Sequence, residues 1–428
     1  MSRQIISNHI DFSKEAVEEK RSGDGKILFT TYREKDCAIL IKGNRILAMQ
    51  PLFSEQNRIG TVYIGKVKNI AKEIHASFVE IENGEICFLP EKDFPMNNLA
   101  NNGAVTLKQG DEIPVQIVRE AHKTKQASVT ANVNLTNDIA VVGPNKKNKQ
   151  ITYSEKISKE GKERLMTWVN EWVNHFENPT LDSQITSTDF LPNIVIRTYA
   201  EECDKEYFFQ KLSELVNQFT ELQNNAKHRT CFSRLTDSKP AFAITLEELA
   251  DRNEYQEIVT ENVSLYPDLL AYCNKNLPDK GVRLYEDKMM PLNKLYAVNT
   301  KAECAFNAQI WLKSGAYLVI EPTEALTVID VNSGKYEGKK DVDNIFAINM
   351  EAASEIALQL RLRNLSGIII VDFISMKDKT LEKELLAHLR ALVKNDRQKT
   401  TIVDITPLGL VEITRKRDKA SLKEQFQS

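Results

Sequence analysis

The segment "EALTVIDVNSGK", Glu324 to Lys335, ends an apolar run on Asp330, and the turn-forming residues Asn332, Ser333 and Gly334 follow at once. The same ending recurs in "SGIIIVDFISM", where Ile368, Ile369, Ile370 and Val371 run into Asp372. Between the two, Ile345, Ile348, Ala352, Ile356 and Leu360 fall on one face at helical spacing, and "RLRN" closes the helix. A strand–helix–strand unit of this length places its strands in parallel, side by side or nearly so. Both aspartates then lie at the carboxyl end of a sheet, where open α/β folds put their sites. Two carboxylates with room for water suit Mg²⁺, which takes few protein oxygens and keeps several waters. Beside a phosphodiester, such an ion supplies a hydroxide-like nucleophile and neutralises charge in the transition state. The plainer alternative is that Asp330 caps the "NSG" turn and Asp372 merely ends a strand.

Outward from this unit, the chain has 428 residues, enough for two or more domains with sizeable cores. Hydrophobic residues make up 42% and charged residues 27%, the balance of a soluble globular protein. The six cysteines are far apart and form no CxxC, which fits a reducing cytosol and neither a disulfide framework nor a zinc-ligand set. No signal peptide or membrane-spanning run is legible, so a cytoplasmic protein with no membrane association is expected. A net charge of −3 excludes a simple basic coat for nucleic acid. Positive charge is instead local: Asn145 to Arg164 holds seven Lys or Arg against three Glu, and "TRKR" spans Thr414 to Arg417. Solvated surface is the competing reading of both stretches.

From Lys26 to about Arg58 the pattern is short alternating strands with a "KGN" turn. From Ile59 to about Asn132, four or five short strands with Gly and Asn-Gly turns predict a small closed barrel. There Phe78 and Phe88 lie on adjacent strands, with Tyr63 nearby and Lys125 later. Aromatics with a neighbouring lysine on a barrel face make a stacking platform for unpaired bases; both Phe in the barrel core is the alternative. A helix with Trp168 and Trp172 follows, then one with Leu212, Leu215, Phe219 and Leu222 at helical spacing. From about Val282 strands and helices alternate as in an α/β domain. The six histidines are scattered and none is in either aspartate motif, which argues against paired-histidine cleavage through a cyclic phosphate. No P-loop, GxSxG or HExxH is present.

The strings "WLKSGAYLVIEPTEALTVIDVNSGK", "NMEAASEIALQLRLRNLSGIIIVDFISM" and "PLGLVEITRKR" stand in the order and spacing of the ribonuclease E/G family. In its shorter, ribonuclease G-like form, that family resembles this chain from about Lys26 to Ser421. The resemblance implies an endoribonuclease for RNA processing or decay that cuts single-stranded RNA to leave a 5′-phosphate and a 3′-hydroxyl. It implies an α+β and α/β multidomain fold. After a flexible lead at 1–25, an RNase H-like subdomain would be split between 26–58 and 243–280. An S1-type OB barrel would occupy 59–132 and a 5′-sensor region with a connecting helix 133–242. A DNase I-like catalytic domain would follow at 281–400, then a C-terminal segment at 401–428.

Residue by residue, Asp330 and Asp372 match the family's Mg²⁺ ligands and Asn332 its asparagine near the scissile phosphate. Phe78, Phe88 and Lys125 match the RNA contacts of the OB fold, and Arg197 and Thr198 in "VIRT" match the pair that holds a 5′-monophosphate. Three departures stand out. The family's CPxC zinc-link has no counterpart before the chain ends at "KASLKEQFQS", so structural zinc is not expected, and any homodimer would form without the link. In the sensor, "RTAGVGKS" is replaced by "RTYAEECDKE", a phosphate-facing glycine by Asn137, and an arginine by Lys399. Lysine lacks arginine's bidentate fork, so weaker or altered 5′-end sensing is expected. Finally "DFIDM" reads "DFISM", with Ser375 for the second Asp. A non-catalytic RNA-binding protein that keeps the OB fold is the rival reading. An aspartate-dependent phosphatase is set aside, because Asn332 stands where its second Asp belongs.

Overall fold

A computed structural model describes residues 25–52, 58–94, 107–121, 126–144, 151–177, 192–334, 342–376, 378–394, 396–417 and 419–427. The polar lead, the "NKKNK" stretch and Lys125 lie outside these residues. The chain divides into two units, Met1–Phe53 with Phe242–Ser428, and Ser54–Ala241. Strands are numbered along the chain.

The first unit holds two sheets. One is formed by the meander β1 (Lys26–Tyr32), β2 (Lys35–Lys42) and β3 (Arg45–Pro51), joined by β13 (Glu257–Thr260) and β14 (Gly281–Leu284) in the order β14-β13-β1-β2-β3. β13 runs parallel to β1 and to β14. Leu28, Ile39 and Ile41 enter one core with Leu422 and Phe426, while Ile27, Phe29 and Leu40 enter another with Phe242, Leu246 and Leu269. Burial on both faces explains why "CAILI" reads as a continuous apolar run rather than a clean alternation.

The second sheet has the order β15-β16-β17-β18-β20-β19. Its strands are β15 (Gln309–Trp311), β16 (Tyr317–Pro322), β17 (Leu326–Asn332), β18 (Gly367–Asp372), β19 (Thr400–Ile405) and β20 (Val411–Arg415). Of its pairings only β17–β18 is parallel, the geometry imposed by the crossover helix Val342–Leu362. That helix and Lys379–Val393 bury Leu318, Ile320, Ile329, Val331, Ile369, Val371 and Ile413 on one side. Strand periodicity sends the intervening residues, among them Trp311, Val328 and Ile368, to the opposite face, where these three are exposed.

Three arginines, one half-buried and two buried, fasten this unit. Arg361, at the end of the crossover helix, pairs with Glu254 and donates to the Leu249 carbonyl at 3.0 Å. Arg363 donates to the carbonyls of Cys304 (3.1 Å) and Asn307 (2.7 Å), and burial pushes its guanidinium down to about 10. Arg415, inside the "TRKR" that reads as basic surface, is only 4% exposed. It holds both carboxylate oxygens of Asp396 (2.7 and 3.1 Å) and the Leu365 carbonyl (2.8 Å).

In the second unit β4 (Val62–Ala71), β5 (Ala76–Glu80), β6 (Ile86–Pro90), β7 (Glu112–Arg119) and β8 (Ser128–Thr130) close a barrel in the order β4-β5-β6-β8-β7. Val67, Val79, Cys87, Leu89, Ile113, Val115 and Val129 fill it, and Tyr63 belongs to this core rather than to the surface. Gly65 is required by close approach: a Cβ there would stand 2.5 Å from Val79 Cγ1. A four-stranded sheet, β11 (Ile151–Tyr153), β12 (Asn193–Ile196), β10 (Ala140–Gly143) and β9 (Leu135–Thr136) in that order, packs against helices Lys159–Glu177 and Lys205–His228. Trp172, Leu212, Leu215 and Phe219 are in that core.

Removing one partner of a buried ion pair strands the other, at a cost of about 3–5 kcal/mol. Arg415→Ala is therefore expected to lower the melting temperature sharply, whereas Arg417→Ala, on an exposed side chain, leaves it nearly unchanged. Burial raises the Asp396 carboxyl, but Arg415, Thr400 and the Gln398 backbone N–H outweigh it and hold the group below its usual range. A depressed carboxylate stabilises the fold above the ordinary carboxylate range and loses that contribution as pH falls towards the lowered folded value. Urea melts across the acid range should accordingly show a shallower decline for Asp396→Asn than for the wild type.

Candidate active site and nucleic-acid interface

β17 and β18 are in register such that Asp330 stands directly beside Asp372. Both project to the face away from the helices, because Ile329, Val331 and Val371 take the core positions between them. Asp372 is exposed, and Asp330 and Asn332 are half-buried. Asn332 Nδ2 donates to Asp330 Oδ2 at 2.6 Å, so the asparagine two residues on fixes its carboxylate. Gly334, at φ 53°, closes the turn; a Cβ there would lie 2.5 Å from the Gly315 carbonyl oxygen and 3.1 Å from the Tyr317 ring. Among the described residues no third His, Cys, Asp or Glu completes a metal cluster with the two aspartates. Two neighbouring carboxylates, Asp372 exposed and Asp330 half-buried, still fit Mg²⁺, which leaves most of its coordination to water and substrate.

The carboxyl end of β18 is held by a residue that sequence reasoning missed. Asn349, fully buried on the crossover helix, donates from Nδ2 to the Ile374 carbonyl (2.8 Å) and accepts from the Ile374 N–H at Oδ1 (3.1 Å). This clasp fixes the backbone two residues beyond Asp372. Its signal was present but faint: an amide adjoins Ile348 on the buried side of a helix that also takes in Glu355 and Gln359 among its apolar residues. Ser375 is exposed just after the clasped residue.

On the barrel, Phe78 and Phe88 are direct cross-strand partners, with ring centroids 6.1 Å apart and planes at 70°. Both are half-buried and stand outside the barrel core, since Val79, Cys87 and Leu89 occupy the alternate, inward positions. Asn69 and Ser128 flank them in register on β4 and β8.

Arg197 directly follows β12 and donates from Nη1 to the Asn137 carbonyl at 2.6 Å, and Thr198 Oγ1 lies 3.3 Å from Ser154 Oγ. Asn137 is in the turn between β9 and β10; its Oδ1 accepts from the N–H groups of Ile139 (3.1 Å) and Ala140 (2.9 Å). Lys399 is exposed in the other unit. It precedes β19, and Lys416 N donates to its carbonyl at 3.0 Å, which puts it at the end of the sheet opposite Asp372. Among the described residues, no helix is long and apolar enough to cross a membrane.

Comparison with known proteins agrees with this layout. A family model described as S1 RNA binding domain matches residues 56–131, the barrel, and one described as Ribonuclease E/G family matches 134–418. Ribonuclease G of Salmonella typhimurium is 29% identical over 383 residues, covering 85% of this chain and 74% of that protein. Ribonuclease G of Escherichia coli K12 gives the same identity and coverage. Ribonuclease E of a Synechocystis species is 28% identical over 378 residues, 86% of this chain and 54% of that protein. With two thirds of its length matched by the family model and its barrel matched as an S1 domain, the chain belongs to the ribonuclease E/G family.

Proposed function

We propose that this protein is an endoribonuclease that cuts single-stranded RNA with Mg²⁺, leaving a 5′-phosphate and a 3′-hydroxyl. The observation that carries the reading is the in-register pair Asp330 and Asp372 on the uncovered face of the second sheet. Membership in a family whose relatives are named ribonucleases G and E supports the reaction class.

Asp330 and Asp372 would hold the ion through anionic oxygens from two neighbouring strands. When bound, Mg²⁺ supplies an acidified water and neutralises charge on the phosphate. Asn332 occupies one oxygen of Asp330 and leaves the other for the cation. Asn349 positions Asp372 indirectly, by locking the chain just past it. Phe78 and Phe88 would stack unpaired bases, with Lys125 as a further RNA contact. A half-exposed ring pair on a barrel suits single strands, because every base offers a π-face. Arg197 and Thr198 are the candidates for a 5′-monophosphate, with Lys399 as a further one.

Asp330→Asn and Asp372→Asn are each expected to reduce cleavage of a short AU-rich single strand to background, while affinity for that RNA in EDTA is retained. Mg²⁺ should raise the melting temperature of the wild type and of neither variant. Turnover near that of the wild type in either variant would rule this site out, and RNA binding without cleavage by the wild type would favour a non-catalytic binder.

Phe78→Ala and Phe88→Ala should each weaken binding by about 1–3 kcal/mol per lost stack, with melting temperatures close to the wild type because neither ring is in the barrel core. A titration beside a melting curve checks both halves.

Asn349→Ala leaves the Ile374 N–H and carbonyl unpaired, at a cost of about 1–3 kcal/mol. Below its melting point this variant should need more Mg²⁺ for half-maximal cleavage. An unchanged Mg²⁺ requirement would reduce Asn349 to a purely structural role.

A further inference from the structure

The uncovered face of the second sheet carries an aromatic pair that neither the aspartate site nor the barrel explains. Trp311 on β15 pairs in register with Tyr317 on β16, and Tyr317 pairs in register with Asn332 on β17. The next row of the same face reads Val319, Asp330 and Asp372. The aromatic row therefore lies one step along the strands from the carboxylates. From strand spacing and rise, Tyr317 is about 8 Å and Trp311 about 12 Å from Asp330. The rings meet at 5.1 Å between centroids with planes at 55°, and Trp311 is 57% exposed. Tyr317 is braced from the other side by the turn that follows Asn332, where Gly334 leaves no room for a Cβ against its ring. A large exposed indole, fixed by a partner held in place, is a surface built to be covered.

We propose that Trp311 and Tyr317 form a stacking subsite for the base that flanks the cleaved phosphodiester. The assignment rests on Asp330 and Asp372 as the cleavage site, because their position is what makes an RNA base the occupant of this face. A strand whose phosphate is at the carboxylates lays a neighbouring base along the sheet, and among the described residues these are the aromatic rings on that row. The stack would act beside the chemistry, apart from the Phe78 and Phe88 platform, and would tilt cleavage towards bases that stack well.

The test uses the full-length protein and an eight-nucleotide single-stranded RNA whose cleavage position has been mapped. Binding is measured in EDTA, and the RNA is made abasic at one position at a time. Trp311→Ala should bind the intact RNA about five- to a hundredfold more weakly, Trp311→Phe should bind almost as the wild type does, and both should melt like the wild type. RNA lacking the base on one side of the cleaved bond should bind the wild type and Trp311→Ala equally. Equal affinity of Trp311→Ala and wild type for intact RNA, or one constant loss against every abasic RNA, would overturn the subsite. Failure of the cleavage-site reading shows separately, as turnover by Asp372→Asn.

Discussion

The parallel ladder between β17 and β18 places Asp330 beside Asp372, and the site depends on that one register. The crossover helix Val342–Leu362 enforces that parallel pairing, and its buried Ile348, Ala352, Ile356 and Leu360 hold it against the sheet. Because side chains alternate along a strand, a slip of one residue in either strand would send one carboxylate into the helical core. The register is thus fixed by the apolar residues between the polar ones. Asn332 and Asn349 refine what the ladder sets, one at the Asp330 carboxylate and the other at the backbone beyond Asp372. The aromatic row inherits its place from the same ladder, with Tyr317 one strand and Trp311 two strands further out.

Much of this was legible in the sequence. Two apolar runs ending on aspartate, with a helical face between them, were enough to place both carboxylates at one sheet end. The barrel was visible in its short strands and turns, and the chain's membership in the ribonuclease E/G family in three long strings. Other features were hidden for physical reasons. The run "IIIV", Ile368 to Val371, is apolar at every position, the pattern of a strand buried on both faces, yet Ile368 is 52% exposed. Which face the helices leave bare follows from packing, and a single strand does not encode it. Arg415 was hidden inside a basic run, since charge patterning does not say which of several cations turns inward. Asn349 was readable only as one amide beside apolar neighbours, and its partner is a backbone group that no motif records.

The acidic net charge acquires a physical meaning in this arrangement. Several of the arginines that might have formed a basic surface, Arg361, Arg363 and Arg415, are used up on carboxylates and carbonyls inside the first unit. RNA contact in our reading depends on stacking rings and on a cation held by carboxylates more than on bulk positive charge. Such an enzyme should lose less affinity with added salt than one that grips many phosphates, because fewer counterions are released.

In our reading Asp330 and Asp372 together hold one divalent cation, a proposal that stands or falls on stoichiometry. It is tested most directly by counting Mn²⁺ bound to the purified protein by electron paramagnetic resonance, with Mn²⁺ standing in for Mg²⁺. One equivalent is expected on the wild type, displaced by excess Mg²⁺, with loss of that equivalent in Asp330→Asn and in Asp372→Asn alike. Retention of the bound equivalent in both variants would contradict it.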